Sequence, residues 1–93
     1  MNTATFDFER IGTIEDFYML AEKELKLPDY FGKNLDALWD CLTGDVALPL
    51  QVQFINLTMN QLEQFDKLIT LFEDAAAELG DGLSFEYYLK KTE

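Results

Sequence analysis

The chain has no histidine, one cysteine and two prolines in 93 residues, and only 7 lysines and arginines against 18 aspartates and glutamates. Each shortage closes a class of function. Without histidine there is no Ser–His or Cys–His nucleophile pair, no imidazole acid or base near neutral pH and no His-containing zinc site. A lone thiol, Cys41, can neither close an internal disulfide nor build a thiolate zinc cluster. Its apolar neighbours read it as a small buried hydrophobe. A net charge of −11 repels phosphate, so neither nucleic acid nor an anionic membrane surface is an expected partner. No apolar run reaches membrane-spanning length. Residues 1–7 lack the basic start and apolar core of a secretion signal, which sets the expectation of a cytoplasmic protein. No phosphate loop or cofactor motif is present, so no cofactor and no resident metal are expected. Carboxylates are the one abundant chemical tool left, and the natural partner is something basic.

What the chain does have is core-forming material: 48% hydrophobic residues and 8 phenylalanines. That is a globular composition, sized for a single domain over residues 1–93 with little stability to spare. Ala4, Phe6 and Phe8 alternate with Thr5, Asp7 and Glu9, predicting a half-buried strand. Thr13 reads as a helix cap with Asp16 three residues on, and Ile14, Phe17, Tyr18, Ala21 and Leu25 follow at helical spacing. Residues 26–33 read as a loop punctuated by Pro28 and Gly32. Asn34 can cap a short helix from about Leu35 to Thr43, with Gly44 as the residue that ends it. Leu50, Val52 and Phe54 alternate with Gln51 and Gln53 as a second strand. Helical spacing returns near Thr58, with a break near Gln64–Asp66. Its stripe is Leu68, Leu71, Phe72, Ala75 and Leu79, and Gly80-Asp81-Gly82 stops it. Leu83, Phe85, Tyr87 and Leu89 alternate with Ser84, Glu86, Tyr88 and Lys90 as a third strand. The order β-α-α-β-α-β implies an α/β fold with helical crossovers and a parallel sheet. Alternating strands imply helices mainly on one face. Two right-handed crossovers on one face give strand order 1-2-3, with the short helix as an extra element across the edge.

The short helix carries the most informative pattern. Leu35, Leu38 and Leu42 make one apolar face; Asp36, Trp39, Asp40 and Thr43 make another. Two like charges one turn apart cost roughly 0.2–0.5 kcal/mol in an isolated helix. The macrodipole favours Asp36 in the first turn and disfavours Asp40 near the end. Local stability does not choose Asp40, whereas a cationic partner turns both penalties into attraction. Periodicity alone favours a solvated acidic face with a tryptophan on the core. Asp74 and Glu78, again one turn apart, weigh the other way, as does a run of ten acids against two lysines over residues 29–81.

The segment from Leu27 to Gly44 closely resembles the barstar family, bacterial inhibitors of secreted guanyl-preferring ribonucleases. The specific stretch is Asn34-Leu35-Asp36-Ala37-Leu38-Trp39-Asp40-Cys41-Leu42-Thr43-Gly44. The resemblance implies a three-stranded parallel sheet and no catalytic activity. It also implies a binding set of Tyr30, Asn34, Asp36, Trp39, Asp40, Thr43, Gly44, Asp74 and Glu78 that enters a basic ribonuclease's active-site cleft. Asp40 then takes the place of a substrate phosphate. It further implies an immunity-type role and a free monomer. The sequence departs from the family at Lys33, where an acid is common, at Asp45, where the best-known members carry tryptophan, and at Asp74, one methylene shorter than the family's glutamate. These departures point to a different target, a toxin nuclease being one. The alternatives are an acidic interaction module on the same fold that binds another basic protein, an enzyme using Asp36 and Asp40 as an acid/base pair or Mg²⁺ ligands, and a DNA mimic, which would need longer rows of acids.

Overall fold

Alternation in the first segment becomes strand β1 (Asn2–Asp7), and the capped amphipathic stretch becomes helix α1 (Ile14–Glu24). The Thr13 hydroxyl accepts from the Asp16 N–H, and the Asp16 carboxylate accepts from the Thr13 N–H in return. Then come α2 (Leu35–Gly44), β2 (Leu50–Leu57), α3 (Met59–Gln64), α4 (Asp66–Leu79), a 3-10 turn at Gly80–Gly82, and β3 (Leu83–Leu89). The computed structural model describes residues 2–91; Met1, Thr92 and Glu93, which the expected domain over 1–93 includes, lie outside the described residues.

The sheet is parallel throughout, in order β1-β2-β3. Register places Ala4, Val52 and Phe85 in one row and Thr3, Gln51 and Ser84 in another. The apolar rows meet the helices, with α1 on β1 and α4 on β3, while α2 lies against α4. The other face is bare, and its rows are polar: Thr3 donates to Gln51 Oε1 and Thr5 to Gln53 Oε1, each at 3.4 Å. Parallel sheets are usually covered on both sides; threonine and glutamine make the open side tolerable here.

Phenylalanine fills the interface between layers. Phe6, Phe8, Phe17, Phe54 and Phe72 are each fully buried. Phe6 and Phe17 approach to 4.8 Å between ring centres, and Phe54 meets Phe72 edge-on at 5.3 Å. Each such side chain contributes about 1.5–3 kcal/mol through burial.

Three details depart from the expected pattern. α2 continues through Gly44 and is capped by Asp45 in a right-handed conformation, so Gly44 is the last helical residue and no left-handed stop. The positive-φ glycine stands instead at Gly80, φ 56°, where the expected Gly80-Asp81-Gly82 stop ends α4. Ile69 joins the buried stripe of α4, which Leu71 and Leu79 only flank. On β3 the alternation fades after Phe85, and Tyr87, Tyr88 and Leu89 are all exposed, because the strand outruns its helical cover.

Candidate functional site

The loop between α1 and α2 is pinned from below. Leu25, Leu27 and Phe31 are buried, Phe31 packs edge-on against Tyr18 at 5.8 Å, and the Phe31 N–H donates to the Pro28 carbonyl at 3.0 Å. Between these anchors Tyr30 is pushed out and is 78% exposed. Nothing in the core asks for an aromatic ring there.

Asn34 then starts α2. Its Oδ1 accepts from the Ala37 N–H at 2.7 Å, and its Nδ2 donates to the Gly32 carbonyl at 3.3 Å. The turn is tight: a Cβ on Gly32 would lie 3.3 Å from Asn34 Nδ2 and 3.4 Å from Ala37 Cβ. Both ends of the Asn34 amide are thus engaged in shaping the helix entry.

Along α2, Leu38, Cys41 and Leu42 face the core, while Asp36, Asp40 and Thr43 face solvent. Trp39 sits at the boundary, half-buried and packed on the core, so it stands beside the two aspartates without projecting freely as they do. Thr43 Oγ1 donates to the Trp39 carbonyl at 2.8 Å. Gly44 is exposed at the helix end, with open space around its Cα.

Asp74 and Glu78 come from α4, and the packing brings them to the same side. The starts of the two helices adjoin, since Leu35 lines one cleft with Phe65 and Leu68. The segments that follow them also meet, with Leu48 Cδ1 3.2 Å from where a Gly82 Cβ would stand. α2 and α4 therefore run alongside in the same direction. Glu73 and Ala76 border the groove next to β3. At about 100° per residue, Asp74 and Glu78 fall on the opposite flank with Leu71, away from β3 and toward α2. Both are exposed.

Among the described residues no cation neutralises this surface. Among the described residues the ion pairs are Lys33–Glu22 at 3.7 Å and Lys90–Glu9 at 3.1 Å. Asp36, Asp40, Asp74 and Glu78 take part in neither. Lys33, next to the start of α2, is tied back to α1. The last turn of α2 holds no basic residue to offset its dipole. Among the described residues no three acid or thiol side chains converge as metal ligands, and no helix is long and apolar enough to cross a membrane.

The model of a known family, described as "Barstar (barnase inhibitor)", matches residues 1–90. The chain belongs to the barstar family. A protein of Bacillus subtilis (strain 168), "Putative ribonuclease inhibitor YrdF", is 40% identical over 78 residues, spanning 81% of this chain and 82% of its own length.

Within this barstar fold, two features escaped sequence reasoning. Asp45, noticed only as a departure, caps α2 through its backbone N–H, which donates to the Cys41 carbonyl at 2.9 Å. Burial raises the Cys41 pKa, the Asp45 carboxylate adds to the rise, and Asp40 contributes further. Asp29, next to Tyr30, is a further exposed acid at the border of the set. Both were visible in the charge count, but the spacing that revealed Asp36 and Asp40 does not reach them.

Proposed function

We propose that this barstar-family chain binds a basic ribonuclease and blocks its active site, with no catalysis of its own. Asp40 enters the phosphate-binding region as a two-oxygen anion suited to bidentate arginine pairing. Asp36 supports it from the first turn. Tyr30 and Trp39 serve as aromatic anchors, Asp74 and Glu78 extend the anionic surface from α4, and Asn34, Thr43 and Gly44 shape the helix ends. The chain works as a cytoplasmic monomer folded as one domain, an immunity protein against a guanyl-preferring or toxin nuclease.

The observation that carries this reading is the outward pair Asp36 and Asp40, exposed and in no ion pair among the described residues. A protein gains nothing in local stability from two carboxylates one turn apart, the second where the helix dipole opposes it. A cationic cleft reverses both signs. Family membership and the printed name of the Bacillus subtilis relative support the same partner class.

The test is inhibition of a panel of microbial ribonucleases by the wild-type chain and Asp40→Ala, with thermal unfolding alongside. Truncating one partner of a buried, hydrogen-bonded charge pair costs roughly 2–5 kcal/mol, a range informed by the family's own barnase–barstar pair. Asp40→Ala should therefore lose at least about 30-fold in affinity at unchanged melting temperature. Equal inhibition by a folded Asp40→Ala variant rules out the role given to Asp40. Salt-sensitive binding to basic proteins with no ribonuclease inhibited replaces the reading with a general acidic docking module.

A further inference from the structure

β3 is an edge strand, hydrogen-bonded to β2 on one side. Among the described residues no loop or helix backbone hydrogen-bonds to its outer side. Its second half is rich in exposed apolar surface: Tyr87, Tyr88 and Leu89 are 43%, 49% and 50% exposed. Edges of this kind invite pairing with another chain unless charged, bulged or covered. Beside the edge lies a groove walled by Glu73 and Ala76 of α4 and by Phe85 and Tyr87, with Glu86 and Tyr88 at its rim. Neither Glu73 nor Glu86 forms an ion pair among the described residues. Tyr88 Oη donates to Glu86 Oε2.

We propose that this edge and groove form a second docking surface, which takes an extended, arginine-bearing segment of a basic protein as an added fourth strand. The free edge of β3 supplies main-chain hydrogen bonds and the groove receives alternate side chains. Glu73 takes a cation on the groove side and Glu86 one on the opposite face of the sheet, and the Tyr87 ring offers its face to a guanidinium. A second copy of the chain is the poorer occupant. Pairing two β3 edges would bring both copies' Glu73 and Glu86 together, at a net charge of −11 each. The surface is separate from the α2 face, because Glu73 and Ala76 lie on the flank of α4 opposite Asp74 and Glu78.

The experiment is an amide NMR titration of the full chain with a blocked seven-residue valine peptide that carries arginine at two adjacent positions, so that one faces each side of the sheet. The expected result is saturable shifts over residues 73–76 and 84–89. Glu73→Gln combined with Glu86→Gln should weaken binding about tenfold, and N-methylation of alternate peptide amides should abolish it. Asp40→Ala should leave it unchanged, so failure here and failure of the inhibitory reading are told apart. Shifts confined to α2 and its loop, no saturable shift at millimolar peptide, or equal binding of the N-methylated peptide each overturn the proposal. Concentration-dependent shifts at β3 without peptide overturn it in favour of self-association.

Discussion

Asn56 Nδ2 donates to Asp7 Oδ1 at 3.0 Å, tying the bulge in β2 to the end of β1. The Glu9 N–H donates to the same oxygen, also at 3.0 Å. The Asn56 amide first, and the Glu9 N–H second, hold the Asp7 carboxyl below its ordinary value. A pKa lowered by folding means that protonation opposes the fold. The stabilisation is complete above the ordinary carboxylate range, near about pH 4, and is lost as pH falls through the lowered value. Asp16, lowered by the Gly12 and Thr13 N–H groups, adds to the same window. The melting temperature should therefore fall on acidification below about pH 4, and Asp7→Asn should remove part of that slope. Melts followed by circular dichroism at stepped pH check this; an unchanged slope in Asp7→Asn excludes Asp7 as a source.

Asn34→Ala deletes the acceptor that holds the Ala37 N–H at 2.7 Å. Loss of an N-cap of this kind costs about 1 kcal/mol. Because the fraying end carries Asp36, inhibition of the target ribonuclease should weaken as well. Asn34→Asp keeps an acceptor and adds a favourable charge at the helix start, so it should recover most of the stability. A destabilised Asn34→Ala variant with full inhibition would show that the first turn of α2 makes no contact with the enzyme.

Most of the architecture is legible in the residues because pattern and packing agree. Alternation fixes the strand faces, helical spacing fixes the stripes, and one-sided alternation leads to order 1-2-3. The exceptions have local causes. Asn56 adopts φ 61° within β2, and its side chain then reaches Asp7; no periodicity announces a bulge that depends on a tertiary hydrogen bond. Tyr87 and Leu89 keep the strand alternation but lie beyond the helical layer, so pattern overstates their burial. At the candidate site, Asp36 and Asp40 are legible because their spacing opposes helix stability. Trp39 is half-hidden, as its double role on core and surface leaves no distinct spacing. The Lys33–Glu22 ion pair, which turns an apparent misfit into a neutral one, joins a loop to a helix and is invisible to short-range reading.

Cys41 belongs to the inner face of α2, and burial together with the Asp45 and Asp40 carboxylates raises its thiol pKa. The thiolate is the reactive form. At neutral pH the folded chain should react with a thiol-specific reagent far more slowly than the denatured chain does. Cys41→Ala should cost about 1–2 kcal/mol through the space it empties and leave inhibition unchanged. Loss of inhibition in a stably folded Cys41→Ala variant would give the thiol a role beyond packing.

Charge and aromatic contact should separate kinetically. Asp36 is an exposed anion on a chain of net charge −11, so it acts on the encounter as well as on the complex. Tyr30 is uncharged and 78% exposed, so it acts once the surfaces touch. The association rate with a basic ribonuclease should fall at least about tenfold as salt shortens the Debye length from about 30 Å to about 3 Å, and Asp36→Ala should flatten that dependence. Tyr30→Ala should raise the dissociation rate and leave the salt dependence of association as it is. Stopped-flow association and displacement measurements over a salt series separate the two. If Tyr30→Ala and Asp36→Ala alter the same rate constant with the same salt dependence, Tyr30 is no independent anchor and the loop matters only through the helix it leads into.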